Sequence, residues 1–234
     1  MNLVLLFPDD FRSANHARIE GRRAEHVLRV LRAGVGDAIV VGVAGGRIGR
    51  GTVTRLEPLE LDVMLDREPP PPLPVTLVLA LPRPKVLNRV IASATSMGVK
   101  RIYLVNAWRV EKSYWKSPRL APEKLHAQVV AGLEQAVDTV LPAIELRRLF
   151  RPFVENELPA IAAGSRALVA HPRAKSAFPG RVEGPVTLAI GPEGGFIERE
   201  LESFERIGFE AVSMGPRVMR VETALAAIVG RIGA

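Results

Sequence analysis

The segment VTLAIGPEGGFIERELESF, residues 186–204, joins an apolar run to a charged amphipathic run through three glycines and one proline. The apolar run is typical of a buried strand and the charged run of a helix. A glycine loop between a strand and a helix is the usual place for a ligand in an α/β sheet. Neither the GxGxxG nor the Walker-type glycine spacing occurs here, and Glu193 would repel a diphosphate. We therefore expect a nucleoside-like ligand without phosphates, although a plain helix start explains the loop equally well by itself.

A second loop of the same design follows in EAVSMGPRVMRVETALAAIVG, residues 210–230. It again runs from a strand through Gly-Pro and an irregular stretch into a helix. Loops that leave parallel strands at their carboxyl ends meet at one edge of the sheet. The second loop also carries Arg220, a charge beside a very apolar helix, where it needs a partner. The two loops together favour a ligand site over a plain helix start.

Strands and helices alternate from residue 75 to the end of the chain. The strand VTLVLAL at 75–81 precedes the helix KVLNRVIASATSMGV at 85–99, and the last predicted helix is ETALAAIVGRIG at 222–233. This alternation predicts an α/β domain over 75–234 with a mostly parallel sheet covered on both faces.

The stretch before residue 75 has a different pattern. Five prolines between 69 and 74 predict a stiff, extended linker. Before it, DAIVVGVAGGRIGRGTVTRL at 37–56 and LELDVML at 59–65 are typical of strands joined by glycine turns, after a helix in RRAEHVLRVL at 22–31. We expect a small β-rich, barrel-like domain over 1–68.

Composition narrows the functional classes. The chain has 234 residues, 47% of them hydrophobic, which is typical of a globular protein with a sizeable core. It has no cysteine, so disulfides, thiolate–zinc sites and cysteine nucleophiles are excluded. Its four histidines lie far apart in sequence, and we expect no metal site. We see no signal peptide and no stretch of membrane-spanning length, and therefore expect a cytoplasmic protein.

The net charge of +7 is located in the second half of the chain. Residues 1–74 carry ten basic and ten acidic side chains, whereas Arg83 to Lys124 holds ten basic residues against Glu111 and Glu123. Such a local field favours a polyanion, although a solvated basic face would look the same.

The loop motifs AIGPEGGFIERE and SMGPRVMRVETALAAI resemble the paired signature of the RsmE-like 16S rRNA uridine-N3 methyltransferases, within the SPOUT superfamily. HVLRVLR at 26–32 and EQAVDTVLPAI at 134–144 are similar to that family's helix motifs, in the same order. The resemblance implies a PUA-like β-barrel followed by an α/β domain with a trefoil knot. It also implies a homodimer whose active site is near the subunit interface, acting on rRNA of the small ribosomal subunit.

The resemblance further implies S-adenosylmethionine as cofactor. A phosphate-free nucleoside with a positive sulfonium fits the ligand expected from the glycine loop. Carried over by motif, the cofactor pocket comprises Ala170, His171, Pro172, Ile190, Gly191, Pro192, Gly194, Gly195, Met214, Gly215, Val218, Met219 and Arg220.

Methylation of uracil N3 requires loss of a weakly acidic proton, so the site needs a base or a cation that stabilises the anion. We assign Arg220 to the anion, and Glu222 to proton removal or to orienting Arg220. Glu222 is equally well explained as an acid in the first turn of a helix. The absence of cysteine agrees with nitrogen methylation, which needs no covalent adduct.

Both tryptophans and both tyrosines lie between 103 and 116, interleaved with cations, a pattern expected for single-stranded RNA binding. We expect Tyr103 in the core and Trp108 at the sheet edge. The predicted RNA contacts are Arg109, Lys112, Tyr114, Trp115 and Lys116, with Arg22, Arg23 and Arg29 on the first domain.

The chain departs from the family pattern in its substrate half, at Ser93, Ser96 and Asp138. These changes leave the target nucleotide open, so the same chemistry at another RNA site is an alternative. A non-catalytic RNA-binding protein is a second alternative, which the intact loop motifs oppose. A nucleotide-binding oxidoreductase is a third, and the glycine spacing disfavours it.

Overall fold

The computed structural model describes residues 2–232 and divides into two compact units. The first unit comprises the chain up to Pro71 together with Val130–Leu141. The second comprises Pro72–Val129 and the chain from Pro142 onward. Met1, Ala234 and Gly233, the last residue of the predicted final helix, lie outside the described residues.

The first unit is built on a six-stranded sheet. Its strands are β1 (Val4–Leu6), β2 (Phe11–Ser13), β3 (His16–Ile19), β4 (Ala38–Val43), β5 (Ile48–Leu56) and β6 (Leu59–Arg67), in the order β1-β4-β5-β6-β3-β2. β1 pairs with β4 in parallel and the other neighbours are antiparallel. Helix α1 (Gly21–Glu25) continues into a π-helical segment, His26–Leu31. The strands and the helix expected within 22–65 are therefore present.

Alternation of side chains builds the core of the first unit. Along β6, Leu59, Leu61 and Val63 are buried while Asp62 and Met64 are exposed. Successive residues of a strand point to opposite faces, so one face of the sheet is apolar. That face packs into a single cluster with Val27 of the π-helical segment.

The second unit is built on a seven-stranded sheet in the order β11-β13-β10-β12-β7-β8-β9, and every paired neighbour is parallel. The elements are β7 (Leu73–Ala80), α2 (Pro84–Ser96), β8 (Val99–Val105), α3 (Pro122–Ala136), β9 (Ala143–Arg147), α4 (Phe150–Pro152), α5 (Leu158–Ala162), β10 (Arg166–Ala170), β11 (Ser176–Ala177), β12 (Val186–Ile190), α6 (Glu198–Arg206), β13 (Glu210–Ser213) and α7 (Val221–Val229). The residues of α3 from Val130 onward belong to the first unit. A π-helical segment, Phe153–Glu157, joins α4 to α5. The prediction of an α/β unit with a parallel sheet is confirmed.

The burial of β12 is that of a central strand in a parallel sheet. All five of its residues, Val186–Ile190, are buried, as expected for a strand covered on both faces. Phe204 packs against three other phenylalanines, with centroid distances of 5.6 Å to Phe150, 5.1 Å to Phe196 and 5.3 Å to Phe209. The cluster joins α4 to the segment from the glycine loop to the start of β13.

The final helix is shorter than the sequence pattern predicts. α7 ends at Val229, and Gly230 follows as its cap. Beyond it, Ile232 forms a parallel bridge with Val182 instead of continuing the helix. Glycine is the poorest ordinary helix former, which accounts for the stop.

The segment 130–141 belongs to the first unit because of Glu134, which is 1% exposed. Its carboxylate accepts a hydrogen bond from Arg22 Nη2 at 2.7 Å, and its backbone carbonyl accepts from the amides of Asn2 and Leu3 at 2.8 and 3.0 Å. Thr139 donates its hydroxyl proton to the carbonyl of Gly46. Residues 134–141 of the EQAVDTVLPAI motif are thus a structural part of the first unit, whereas Ala143 and Ile144 begin β9 of the second.

Candidate functional site

Three loops of the second unit leave the carboxyl edge of its sheet side by side. They follow β10 at Ala170, β12 at Ile190 and β13 at Ser213, and β10 lies between the other two strands. All three loops line one cavity of about 930 Å³. The two glycine-containing loops therefore lie at the same edge, as expected, with the loop after β10 between them.

Twelve of the thirteen residues predicted for the cofactor pocket line this cavity. They are Ala170, His171, Pro172, Ile190, Gly191, Pro192, Gly194, Gly195, Met214, Gly215, Val218 and Met219. The thirteenth, Arg220, is exposed at the N-cap of α7, and the cavity wall continues instead with Val221.

Sequence reasoning missed several cavity-lining residues, among them the face of α7. Val221, Ala224 and Ile228 of α7 line the cavity at helical spacing, as does Phe196 beyond the glycine loop. The 3.6-residue period of α7 carries this signal, because residues three and seven positions apart share one face. The same apolar spacing is typical of any helix packed against a core, so by itself it does not indicate a cavity.

The glycine loop has its shape for steric reasons. A side chain on Gly191 would put its Cβ 3.0 Å from the backbone nitrogen of Phe196 and 3.2 Å from the Cα of Gly195. Gly195 has φ +71°, in the left-handed region, and its amide donates to the carbonyl of Pro192 at 2.7 Å. The loop thus brings backbone close to the cavity where side chains do not fit.

Arg109 lies against this loop, although the sequence predicted it as an RNA contact. Its guanidinium donates to the carbonyl of Gly194, and a Cβ on Gly194 would come 2.8 Å from Arg109 Cδ. Arg109 also lines the cavity. The basic segment after β8 is therefore attached to the glycine loop.

Two carboxylates, on the glycine loop and on the helix after it, make further hydrogen bonds to the basic stretch 83–124. Glu200 is 6% exposed; its Oε1 accepts from the amide of Trp108 at 2.7 Å and its Oε2 from the amide of Ile197 at 2.9 Å. Glu193, the acid in the middle of the glycine loop, accepts from the amide of Arg83 at 3.0 Å, just before α2. An acid at a helix N-terminus is favoured by the helix dipole.

His171 supplies the only imidazole among the cavity-lining residues that the structure describes. Its Nδ1 accepts a hydrogen bond from the amide of Arg173 at 3.3 Å. Burial lowers the pKa of His171; a hydrogen bond with the backbone of Phe196 opposes the shift, and the charge of Arg173 adds to it. The ring is therefore neutral near pH 7 and adds no positive charge to the cavity.

Glu222 has a partner that the sequence did not predict. Its carboxylate lies 3.2 Å from Nη2 of Arg89 on α2. Glu222 is 24% exposed in its side chain and Arg89 is 63% exposed. The observed ion pair therefore joins α7 to α2. Arg220, by contrast, is exposed to solvent.

The arginines predicted to bind RNA on the first unit have partners within that unit. Arg22 pairs with Glu134, as described above. Arg23 pairs with both carboxylate oxygens of Asp10, at 2.5 and 2.7 Å, and also donates to the carbonyl of Leu5. Arg29 forms an exposed pair with Glu25 at 3.0 Å.

The aromatic segment after β8 is partly ordered by its own contacts. Trp115 Nε1 donates to Asn106 Oδ1 at 2.8 Å, and the guanidinium of Arg148 lies 5.7 Å from its ring centroid. Tyr114 donates its hydroxyl to Glu111 at 3.1 Å. Lys112 and Lys116 are exposed.

The other two aromatic side chains of this segment differ sharply in exposure. Tyr103 is 3% exposed, which confirms its place in the core. Trp108 is 78% exposed, so the expectation that it covers the sheet edge is wrong.

The departures from the family pattern are accommodated locally. Ser96 donates its hydroxyl to the carbonyl of Ser93 at 2.9 Å, within the last turn of α2. Asp138 is buried in the first unit, where it accepts from the amide of Val140 at 2.9 Å. These contacts explain how the three residues fit without indicating a target nucleotide.

Two features are absent from residues 2–232. No helix in this range is long and apolar enough to cross a membrane. Within the same range, no cluster of three or more histidine, aspartate and glutamate side chains could hold a metal ion.

The parallel sheet and its cavity at the strand ends define an α/β protein with a ligand site at the carboxyl edge. Residues 69–233 match the family model of the RNA methyltransferase domain. The chain is 31% identical over 212 residues to ribosomal RNA small subunit methyltransferase E of Treponema pallidum, covering 86% of this chain and 79% of that protein. The chain belongs to the ribosomal RNA small subunit methyltransferase E family.

A second relative is similar in sequence, and a solved structure is similar in fold. The chain is 28% identical over 227 residues to the Mycobacterium bovis protein of the same name, covering 93% of this chain and 86% of that one. Its fold is similar to that of the Neisseria gonorrhoeae protein of the same name, solved bound to S-adenosyl methionine. That likeness has a TM-score of 0.76 at 23% identity and covers 98% of this chain and 95% of the other. The family resemblance found in the loop motifs is confirmed; the knot and the PUA-like domain stay predictions.

Proposed function

We propose that this protein methylates a uridine of 16S rRNA at N3, with S-adenosylmethionine as the methyl donor. One observation carries the proposal: the loops that bear the family's two motifs lie together and line one cavity with twelve of the residues predicted to hold the donor. The names of the Treponema and Mycobacterium relatives support a ribosomal RNA substrate.

The cavity suits a cationic nucleoside without phosphates. Gly191, Gly194 and Gly195 line the cavity without side chains, so a flat base and ribose can come close to main-chain hydrogen-bonding groups. His171 is neutral and repels no sulfonium, and the apolar face of α7 contributes Val221 and Ile228 to the wall. Four acidic and four basic side chains line the cavity, so its lining has no net positive charge that would repel a sulfonium.

When bound, the donor supplies an activated methyl group. The protein then has to align the nucleobase, exclude water and stabilise the N3 anion. Arg220 is exposed beside the cavity-lining residues Met219 and Val221, so a nucleobase can reach it from solvent. We assign it to the uracil anion and its carbonyl oxygens.

Glu222 has two proposed roles, and its pairing with Arg89 bears on both. A carboxylate held at 3.2 Å from a guanidinium has a fixed orientation. It can accept the N3 proton, or it can order the N-terminal turn of α7 and so the arginine that precedes it. The ion pair to α2 favours the ordering role, because it connects the first turn of α7 to a second helix.

Further parts of the proposal follow from the family. We propose a trefoil knot in the second unit, a PUA-like character for the first unit, domain limits of 1–68 and 75–234, and a homodimer with the active site near the subunit interface. The cytoplasm follows as the location, because the proposed substrate is the small ribosomal subunit. RNA contacts are proposed for Arg109 and for the exposed Lys112 and Lys116.

The proposed donor site is tested by calorimetry, and the reaction by incubating small ribosomal subunits with labelled S-adenosylmethionine. We expect donor binding without binding of NADH, and one new N3-methyluridine by mass mapping of the rRNA nucleosides. Label at another nucleotide would support methyl transfer from the donor but contradict the proposed target nucleotide. Donor binding without transfer to any RNA would favour the non-catalytic alternative.

The Arg220→Ala variant tests the assignment of the catalytic cation. We expect turnover to fall by about 10²- to 10³-fold, as when one anion-stabilising donor is removed. Donor affinity should stay within about twofold, because Arg220 lies outside the cavity wall. Arg199→Ala, a change at an exposed arginine of α6, should leave both unaffected. Full activity of Arg220→Ala would reject the assignment.

A further inference from the structure

Trp108 has the most exposed large hydrophobic side chain in the described part of the chain, at 78%. An indole ring normally buries much of its surface, so a ring left in water retains a large apolar area for a partner. The chain has only two tryptophans, and Trp115 is already engaged with Asn106 and Arg148. Trp108 is thus the tryptophan whose ring faces are open to a ligand.

The backbone that carries this ring is held in place. The amide of Trp108 donates to the buried Glu200 at 2.7 Å. The neighbours Ala107 and Val110 are 2% and 6% exposed, and the amide of Val110 donates to the carbonyl of Ala107 at 3.0 Å. The turn is therefore ordered, and stacking on its ring immobilises only the side-chain torsions, which lowers the entropy cost of binding.

The position of the ring relates it to the cavity. The next residue, Arg109, lines the cavity and donates to Gly194 in its wall. The surrounding stretch, Arg83 to Lys124, carries ten basic and two acidic side chains. An aromatic ring among cations is the arrangement that holds unpaired bases and their phosphates.

We propose that Trp108 stacks on an unpaired base that neighbours the target nucleotide in the RNA. The inference rests on the proposed function and adds a substrate-positioning residue to it. The occupant is a nucleobase and not a second copy of this chain, because the stretch that carries the ring has an excess of cations, which attracts RNA and repels an equally basic surface.

Fluorescence tests the stacking directly, because Trp115→Phe leaves Trp108 as the one tryptophan. We expect acrylamide to quench this emission readily in the free protein. A single-stranded oligouridine should quench the emission and then protect it from acrylamide. In the reciprocal variant, Trp108→Phe, the emission of Trp115 should change little when the same probe is added.

Affinity gives a second measurement. Trp108→Ala should weaken oligouridine binding by about 10- to 100-fold, the usual loss for one stacking aromatic, and Trp108→Phe should retain most of the affinity. Leu149→Ala removes a side chain that is 67% exposed in the same unit and should have no effect. Donor affinity, measured by calorimetry, should be unchanged in all three variants.

Three outcomes would overturn the inference. In the first, Trp108→Ala binds the probe and methylates subunits as the wild type does, which leaves the proposed function intact. In the second, Trp108 is shielded from acrylamide without RNA and becomes accessible on dilution, so a second copy covers it. In the third, the wild-type protein binds neither donor nor RNA, and the proposed function fails as well.

Discussion

Replacing Gly195 by alanine tests whether the shape of the glycine loop is needed for donor binding. Gly195 has φ +71°, and a Cβ there would lie no closer than 3.8 Å to its neighbours, the nearest being Nε2 of His171. The change therefore introduces backbone strain without a clash. A left-handed conformation costs an alanine about 1–2 kcal/mol.

The alanine can keep the strained backbone or leave it. If it keeps the backbone, the free energy of unfolding falls by that amount, which lowers Tm by about 2–8 °C for a chain of this size. If it leaves the left-handed region, the hydrogen bond from residue 195 to Pro192 is lost, and the cavity wall at Gly194 moves. The strain favours the second outcome, in which we expect donor affinity to fall about tenfold or more, since the binding-competent loop is less populated.

Gly164→Ala is the matched control. Gly164 has φ +74°, an added Cβ would have nothing within 4 Å, and the residue precedes β10, at the opposite edge of the sheet from the cavity. The Gly164→Ala variant should lose about as much free energy of unfolding as Gly195→Ala and bind the donor with wild-type affinity. Calorimetry with S-adenosylmethionine and thermal unfolding of both variants make the comparison. Equal donor affinities in the two variants would refute the reasoning.

Two further predictions concern stability. Glu134→Ala should lower the free energy of unfolding by about 1–3 kcal/mol, because it removes a buried carboxylate that accepts from the amide of Leu5 and the guanidinium of Arg22; Glu25→Ala, at an exposed pair, should cost less than about 0.5 kcal/mol. The two shifted histidines should give opposite pH dependences. Because the pKa of His171 is lowered in the folded protein, its contribution to the free energy of unfolding is complete above pH 6.5 and is lost as pH falls through the folded pKa. The raised pKa of His16, caused mainly by its hydrogen bond to Asp62, makes its contribution complete below pH 6.5 and lost as pH rises through the folded pKa. Denaturant unfolding of the asparagine variants between about pH 5 and 8 checks both signs, and equal slopes in variant and wild type would contradict them.

Much of the second unit could be predicted because its signals are local. β12 is a continuous apolar run followed by glycines, and that pattern survives in the structure as a buried strand and a tight loop. The first unit was harder. β1, β2 and β3 are only three or four residues long, too short for an alternating pattern to stand out.

The partners of the site's charged residues could not be predicted. Local pattern suggested Arg220 as the neighbour for Glu222, but the structure pairs Glu222 with Arg89, 133 residues away. Arg23 looked like part of a basic surface, yet it is 18% exposed in its side chain and holds Asp10. Charge in a sequence gives no information on which side chains the fold brings together.

The same limit hides the connection between the cavity and the basic segment. Three hydrogen bonds form this connection. The amide of Trp108 donates to Glu200, Arg109 to the carbonyl of Gly194, and the amide of Arg83 to Glu193, across 92, 85 and 110 residues. Each joins the glycine loop or the helix that follows it to the segment proposed to meet RNA. A displacement of that loop therefore shifts the groups around Trp108 as well, because they share hydrogen bonds. Donor binding should then change the affinity for RNA, and RNA binding should change the affinity for the donor by the same factor, since linkage between two equilibria is reciprocal.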